Sequence, residues 1–297
     1  MESIKLVLAG QTHTKESRMK KTVDTVVEDV YELVGTGKVS EGVDIDEAFK
    51  LFSKNVDELV YSNLLEERQD STGLRMSSIG KPDRQIWLKH KGTEAEKLAP
   101  HTLIKFLYGH IIEELVLLMV RLSGHKVTHE QERVNINGVS GSMDCCIDGT
   151  LIDVKSASSF AFKKFKENTV EFDDPFGYVD QLKGYGAALE QKKAGWLAMD
   201  KGNGHLALAM IDLTQGQKIE DRIEHIKAVV ADTDTMPDPC YDPVPDGKSG
   251  NMKLPTGCSY CSYKKTCYPK LRTFIYSSGP KYLTEVWKLP NVLEVKD

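Results

Sequence analysis

The stretch "GSMDCCIDGTLIDVKSAS", residues 141–158, decides the fold. Asp148-Gly149 sits between two alternating apolar runs. A two-residue Asp-Gly loop is a strong hairpin signal because both central positions take positive φ. With that loop, Ile147 faces Thr150, Cys146 faces Leu151 and Asp144 faces Asp153. Side chains alternate along a strand. Met143, Cys145, Ile147, Ile152 and Val154 therefore share an apolar face suited to a core, and Ser142, Asp144, Asp153 and Lys155 share the other. Like charges directly opposed, with Cβ atoms about 5 Å apart, destabilise a strand pair. Two facing carboxylates thus need a cation or a shared proton. A divalent metal accepts oxygen ligands of this kind, with Lys155 one strand step away to hold a water or a phosphate. Read alone, the stretch also fits a surface hairpin with scattered charges.

At 297 residues the chain can bury a substantial core in one large domain or two smaller ones. Its 40% hydrophobic and 28% charged content is that of a soluble globular protein. The opening "SIKLVLAG" is too short for a signal or membrane segment, so a cytoplasmic location is expected. A formal net charge of -5 argues against a uniformly basic nucleic-acid binder. It leaves room for a local basic groove, and Lys and Arg do cluster in "GKPDRQIWLKHKG" (80–92) and "FKKFK" (162–166).

Working outward, residues 15–34 and 44–66 carry apolar positions at helical spacing, so 1–73 reads as a helical segment without chemistry of its own. A core portion follows over 74–235. Ser77 or Ser78 is placed to cap a short helix bearing Arg84, Ile86 and Trp87. A long helix is expected over about 102–123, stopped by Gly124, with an apolar stripe of Ile104, Leu107, Ile111, Leu115, Leu118 and Leu122. His110, Glu113 and Glu114 cluster on one flank of that stripe. "VTHEQERVNING" and the hairpin supply strands, 176–191 a helix, "AGWLAMDK" and "GHLALAMIDL" two strands, and 215–231 a charged helix. This order predicts an α/β fold, a mixed central sheet flanked by helices.

The remaining segment, 236–297, holds four of the six cysteines: Cys240, Cys258, Cys261 and Cys267. In a reducing compartment such clustering suggests a metal rather than disulfides. Cys145 and Cys146 belong to the hairpin.

A carboxylate-bearing helix ("YGHIIEELV"), then Asp144, then Asp153-x-Lys155, then Gln181-x-x-x-Tyr185 occur in a set order. That order resembles the PD-(D/E)XK nuclease superfamily, specifically its RecB-like and phage lambda-type exonuclease branches, over about 74–200. Any one motif is weak; four in order are specific. Met143 stands where the family's proline would be. "LPTGCSYCSYKKTCYP" resembles the C-terminal cysteine triplet of CRISPR-associated RecB-like exonucleases and of the AddAB helicase-nuclease, which holds a 4Fe–4S cluster with a fourth, distant cysteine. The family's fourth cysteine usually precedes the core. Nothing before Cys145 supplies one here, which leaves Cys240. A zinc ribbon, the alternative, normally uses two Cys-x-x-Cys pairs, and one is present.

The resemblance implies a restriction-endonuclease-like fold and metal-dependent hydrolysis of DNA by an exonuclease of phage or bacterial type, acting in recombination, repair or DNA degradation, with a partner protein of such a pathway. It implies that Asp144, Asp153 and the Val154 carbonyl hold Mg2+ or Mn2+. Lys155 orients or deprotonates the attacking water or neutralises charge developing on the phosphate. Glu113, four residues after Gly109, matches the lambda-type helix acid; His110 is the RecB-style alternative and Glu114 a third. Gln181 and Tyr185, one helical turn apart, would position the water or a DNA phosphate. Ser77, Ser78 and Arg84 would contact the DNA backbone, Arg84 alternatively bracing the core. A site-specific endonuclease of the same fold, a catalytically silent DNA-binding subunit and a zinc-dependent binding module are the competing readings.

Overall fold

The computed structural model describes residues 21–66 and 73–295. The hairpin forms as its turn chemistry requires. Asp148 and Gly149 take φ of 50° and 86°, and Ile147 pairs with Thr150, Cys146 with Leu151 and Cys145 with Ile152. These strands are the centre of a five-stranded mixed sheet. In chain order its members are β1 (Val127–Thr128), β4 (Cys145–Ile147), β5 (Thr150–Ala157), β6 (Lys193–Asp200) and β7 (Leu206–Asp212). Between β1 and β4 a separate hairpin intervenes, β2 (Arg133–Ile136) with β3 (Val139–Ser142). Spatial order in the main sheet is β1-β4-β5-β6-β7, antiparallel except for the parallel pair β5–β6. A parallel neighbour demands a crossover. Here α6 (Ser159–Lys166) and α7 (Tyr178–Ala188) provide it.

Both faces of this sheet are covered, which is why β5 carries apolar residues on each. On one side Cys145, Ile147, Ile152, Val154 and Leu197 meet α1 (Val26–Thr36) and α5 (Pro100–Leu122) through Val26, Val30, Val116 and Val120. On the other, Cys146, Leu151 and Trp196 meet α3 (Met76–Ile79), α6, α7 and α8 (Ile219–Ala231) through Met76, Phe162, Leu182 and Ile223. Met143 departs from the expected face. The ladder begins at Cys145, so strict alternation does not reach back to Met143, which is buried with Cys146 and Leu151.

The front helices are α1 and α2 (Ile45–Leu65), the latter capped by Asp44, whose carboxylate accepts the Glu47 N–H at 3.0 Å. The part of the expected first helix before residue 21 lies outside the described residues. On α5 the buried side is rotated from the expected stripe. Val116, Leu117, Leu118, Val120 and Leu122 are buried, whereas Ile104 and Leu115 are 63% and 38% exposed, because the second half of the helix packs on the sheet through Val116 and Val120 and on the front helices through Leu118 and Leu122. Ser77 and Ser78 do not cap the helix that bears Arg84. They lie inside α3, and α4 (Asp83–His90) starts after Pro82.

The C-terminal segment, read from the sequence for its cysteines, is built largely on strands. Five strands form a second sheet: β8 (Val244–Pro245), β9 (Met252–Lys253), β10 (Arg272–Tyr276), β11 (Gly279–Glu285) and β12 (Leu293–Val295), in the order β12-β10-β11-β9-β8. Phe274 and Leu283 are fully buried in it. No described helix is long and apolar enough to cross a membrane.

Candidate active site

Asp144 and Asp153 meet at Lys155. The Lys155 ammonium lies 2.5 Å from Asp153 and 3.9 Å from Asp144. Asp144 is not opposite Asp153 in the ladder. It precedes β4, and its carboxylate accepts the Val154 N–H at 2.9 Å, which fixes it over the next strand. The main sheet supplies the register: Leu151, Asp153 and Lys155 point one way from β5, Ile152 and Val154 the other.

Glu113 completes the group from α5. One carboxylate oxygen accepts from both the Ser156 N–H and hydroxyl at 3.3 Å, and the other faces His110 Nδ1 at 3.1 Å. The helix reaches the strand this closely because of Gly109: a Cβ there would stand 2.9 Å from Ser156 Oγ. Glu114 turns away, accepting from Asn55 on α2 at 3.0 Å. Of the three flanking residues, Glu113 faces the β5 site directly, His110 through Glu113.

The electrostatics follow from three carboxylates around one ammonium. Burial pushes the Asp153 carboxyl up to about 7 against the pull of Lys155. Burial alone would lower Lys155, but Asp153, Asp144 and Glu113 outweigh it and hold the ammonium above its ordinary range. The two shifts would be inconsistent for an isolated pair, where partners stabilise each other's charge. Here the lysine is over-compensated, and the deepest carboxylate is left short of positive charge. Burial likewise acts to raise Glu113, but the His110 hydrogen bond and Lys155 prevail and lower it; the same bond raises His110. Both Asp153 oxygens are buried; Oδ2 meets the Lys155 ammonium, and Oδ1 has no partner among the described residues. An orphaned carboxylate oxygen, beside a surplus of negative charge, fits a divalent cation in donor chemistry. Among the described residues no three His, Cys, Asp or Glu side chains stand gathered at ligand spacing.

Tyr185 serves the site indirectly. Its hydroxyl donates to the Ser142 carbonyl at 2.7 Å, two residues before Asp144, and the ring is buried. Burial raises its phenol to about 12 despite the Gln181 hydrogen bond. The phenol is thus spent on backbone rather than free for a water or phosphate. Gln181 remains half-exposed. Arg84 donates to the Pro237 carbonyl at 2.6 Å and reaches Cys267 Sγ at 3.9 Å, the contacts of a brace between α4 and the C-terminal segment. Ser77 is exposed and Ser78 half-buried.

Two contributors escaped the sequence reading. Ser156 follows Lys155 and had no pattern to mark it. Tyr178, whose ring centroid lies 5.5 Å from the Lys155 ammonium, had one: residues 178, 181 and 185 share a helix face.

Cys240, Cys258, Cys261 and Cys267 line one small cavity with Gln85, Tyr241 and Tyr268. Burial pushes the Cys258 thiol up to about 12 and raises Cys240 and Cys261, each neighbouring thiol adding to the effect. The four thiols line a common cavity without standing at ligand spacing, and their donor chemistry is that of a thiophilic metal's ligands. Cys145 and Cys146 are buried in the main sheet.

No protein-family model matches the chain, and no curated protein does. Among solved structures it is similar to the protein SSO0001, at 13% identity and a TM-score of 0.41, over 73% of this chain and 94% of that one. It is similar to an alkaline exonuclease, LHK-Exo, from Laribacter hongkongensis, at 15% identity and a TM-score of 0.37, over 59% and 89% of the two chains. A phage-related exonuclease from Haemophilus somnus 129PT is similar at 16% identity and a TM-score of 0.37, over 54% and 90%.

Proposed function

We propose that this chain is a metal-dependent deoxyribonuclease that hydrolyses phosphodiester bonds in DNA as an exonuclease. The observation that carries the reading is the meeting of Asp144, Asp153 and Glu113 around Lys155, with Asp153 Oδ1 buried and without a partner among the described residues. A purely structural ion pair needs one carboxylate, and a second and third each add a desolvation cost.

Asp144, Asp153, Glu113 and the Val154 carbonyl would hold one or two Mg2+ or Mn2+ ions. A divalent cation there supplies Lewis-acid polarisation of the scissile phosphate and a lowered pKa for water. Asp144 is positioned for this by the Val154 N–H, and Glu113 by Ser156. Lys155 orients the attacking water or meets negative charge as it develops on the phosphate. Gln181 aligns that water or a neighbouring phosphate. Tyr185 holds the Ser142 carbonyl and so the approach of the chain to Asp144.

The preference for ends over internal sites rests on the Gln-x-x-x-Tyr and cysteine motifs. The four cysteines would hold a 4Fe–4S cluster, with Zn2+ as the alternative, clamping the second sheet to the body. A brown protein with broad visible absorbance after anaerobic preparation supports the cluster; a colourless protein containing zinc replaces it.

The test of the main reading uses end-labelled linear and closed circular DNA with Mg2+, Mn2+ or EDTA, beside Asp153→Ala and Lys155→Ala. Loss of linear DNA alone, abolished by EDTA and by either substitution, is the expected result. Cutting of circles makes the protein an endonuclease. Binding without cutting under every metal makes it a silent subunit.

A further inference from the structure

Three aromatic rings join the candidate site to the cysteine segment. From Tyr178, whose ring faces the Lys155 ammonium, the next ring is Phe176 at 5.6 Å, tilted by 33°. Phe176 in turn meets Tyr260 at 5.9 Å, edge to face at 62°. Tyr260 lies between Cys258 and Cys261 and is 71% exposed. Phe176 and Tyr178 are half-buried. Core packing accounts poorly for such a series, because its outermost ring gives most of its surface to solvent.

The two inner rings are held rigidly. Gly177, between them, takes a left-handed φ of 78°. The Asp174 carboxylate accepts the Gly177 and Val179 N–H groups at 3.0 and 2.8 Å. Gly80 meets Gly177 backbone to backbone, so closely that a Cβ on either would lie within 2.6 Å of the other's main chain. Tyr260 is fixed by the cysteine turn, in which the Cys261 N–H donates to the Cys258 carbonyl at 3.1 Å.

A cation accompanies the rings. Lys81 follows Gly80 and lines a small cavity with Tyr263, three residues past Tyr260. Burial, together with Lys89, lowers its ammonium.

We propose that Tyr178, Phe176 and Tyr260 form a stacking platform for single-stranded DNA, carrying the strand between Lys155 and the cysteine segment while Lys81 meets its phosphates. The proposal rests on the nuclease reading of the site. Bases stack on aromatic side chains whatever their sequence, and a preformed platform avoids the ordering cost of a mobile one. Duplex DNA keeps its bases stacked internally and gains nothing from exposed rings. The platform therefore discriminates single strands, or a frayed end, from intact duplex.

The experiment measures anisotropy of fluorescein-labelled oligo(dT) and of a duplex of equal length, on the full chain, with Ca2+ in place of Mg2+. Tyr260→Ala and Phe176→Ala each weaken oligo(dT) binding by about fivefold or more and leave duplex binding within about twofold. Tyr260→Trp preserves oligo(dT) binding. Lys81→Ala lowers the salt dependence by about one phosphate contact. Thermal unfolding confirms that each variant is folded; should Phe176→Ala fail this, exposed Tyr260 carries the test. If wild type cuts DNA yet Tyr260→Ala binds oligo(dT) normally, or loses duplex binding equally, the platform is refuted and the nuclease reading stands. A change only in the oligomeric state of Tyr260→Ala refutes it as well, assigning the ring to a protein contact. If wild type neither binds nor cuts DNA, both fall.

Discussion

Lys155 lies 2.5 Å from Asp153, and the Asp153 side chain is only 3% exposed. Removing the ammonium leaves that carboxylate buried and unpaired; removing the carboxylate's charge relieves the burial. The two residues therefore differ in what substitution does to stability, although both are expected to abolish activity.

Asp153→Asn stabilises the metal-free protein while eliminating DNA degradation. The folded carboxyl titrates above its unfolded value, so the folded chain holds more protons. Its contribution is complete below about pH 4 and is lost as pH rises towards 7. The Tm of Asp153→Asn in EDTA should exceed that of wild type by a gap that widens between pH 5 and 8, at about 2–4 °C for each kcal/mol. A constant gap would show that burial does not tune this carboxyl.

Tyr185→Phe removes the donor to the Ser142 carbonyl, at a cost of about 1 kcal/mol. Because Ser142 precedes Asp144 by two residues, the variant should also require more Mg2+ for half-maximal activity. A denaturant melt and a metal titration check the two effects separately. Unchanged metal dependence would reduce Tyr185 to a packing residue.

Arg84→Ala separates brace from DNA contact. Loss of the bond to Pro237 should speed proteolysis within 236–297 while the salt dependence of DNA binding stays unchanged. A salt slope lowered by about one would mean that Arg84 meets a phosphate instead.

His125→Ala should destabilise the fold by about 3 kcal/mol. The imidazole is fully buried and bridges Asp29 on α1, at 2.9 Å, and Asp148 in the hairpin turn, at 2.7 Å. Urea unfolding measures the loss. A value below about 1 kcal/mol would show that the two carboxylates find water or other donors.

Much of the fold was legible because its signals are local. Asp148-Gly149 specifies its own backbone, and α2, α5, β6 and β7 follow from side-chain periodicity and end signals within each segment. The second sheet went unread, although "RTFIY" and "GPKYLTE" hold aromatic and β-branched residues around a Ser277-Ser278 turn, because the cysteines beside them drew the reading to metal ligation.

The sequence by itself determined which ionisable groups the chain carries, their spacing on each helix and strand, and the hairpin that sets Asp153 and Lys155 on one face. Only the tertiary structure decided which of those groups meet. Glu113 reaches Ser156 while Glu114 turns to Asn55, Tyr185 commits its hydroxyl to Ser142, and Arg84 goes to Pro237, 153 residues away. The physical reason is that backbone preference and periodicity act over a few residues, whereas a hydrogen bond or ion pair depends on where distant segments return in space.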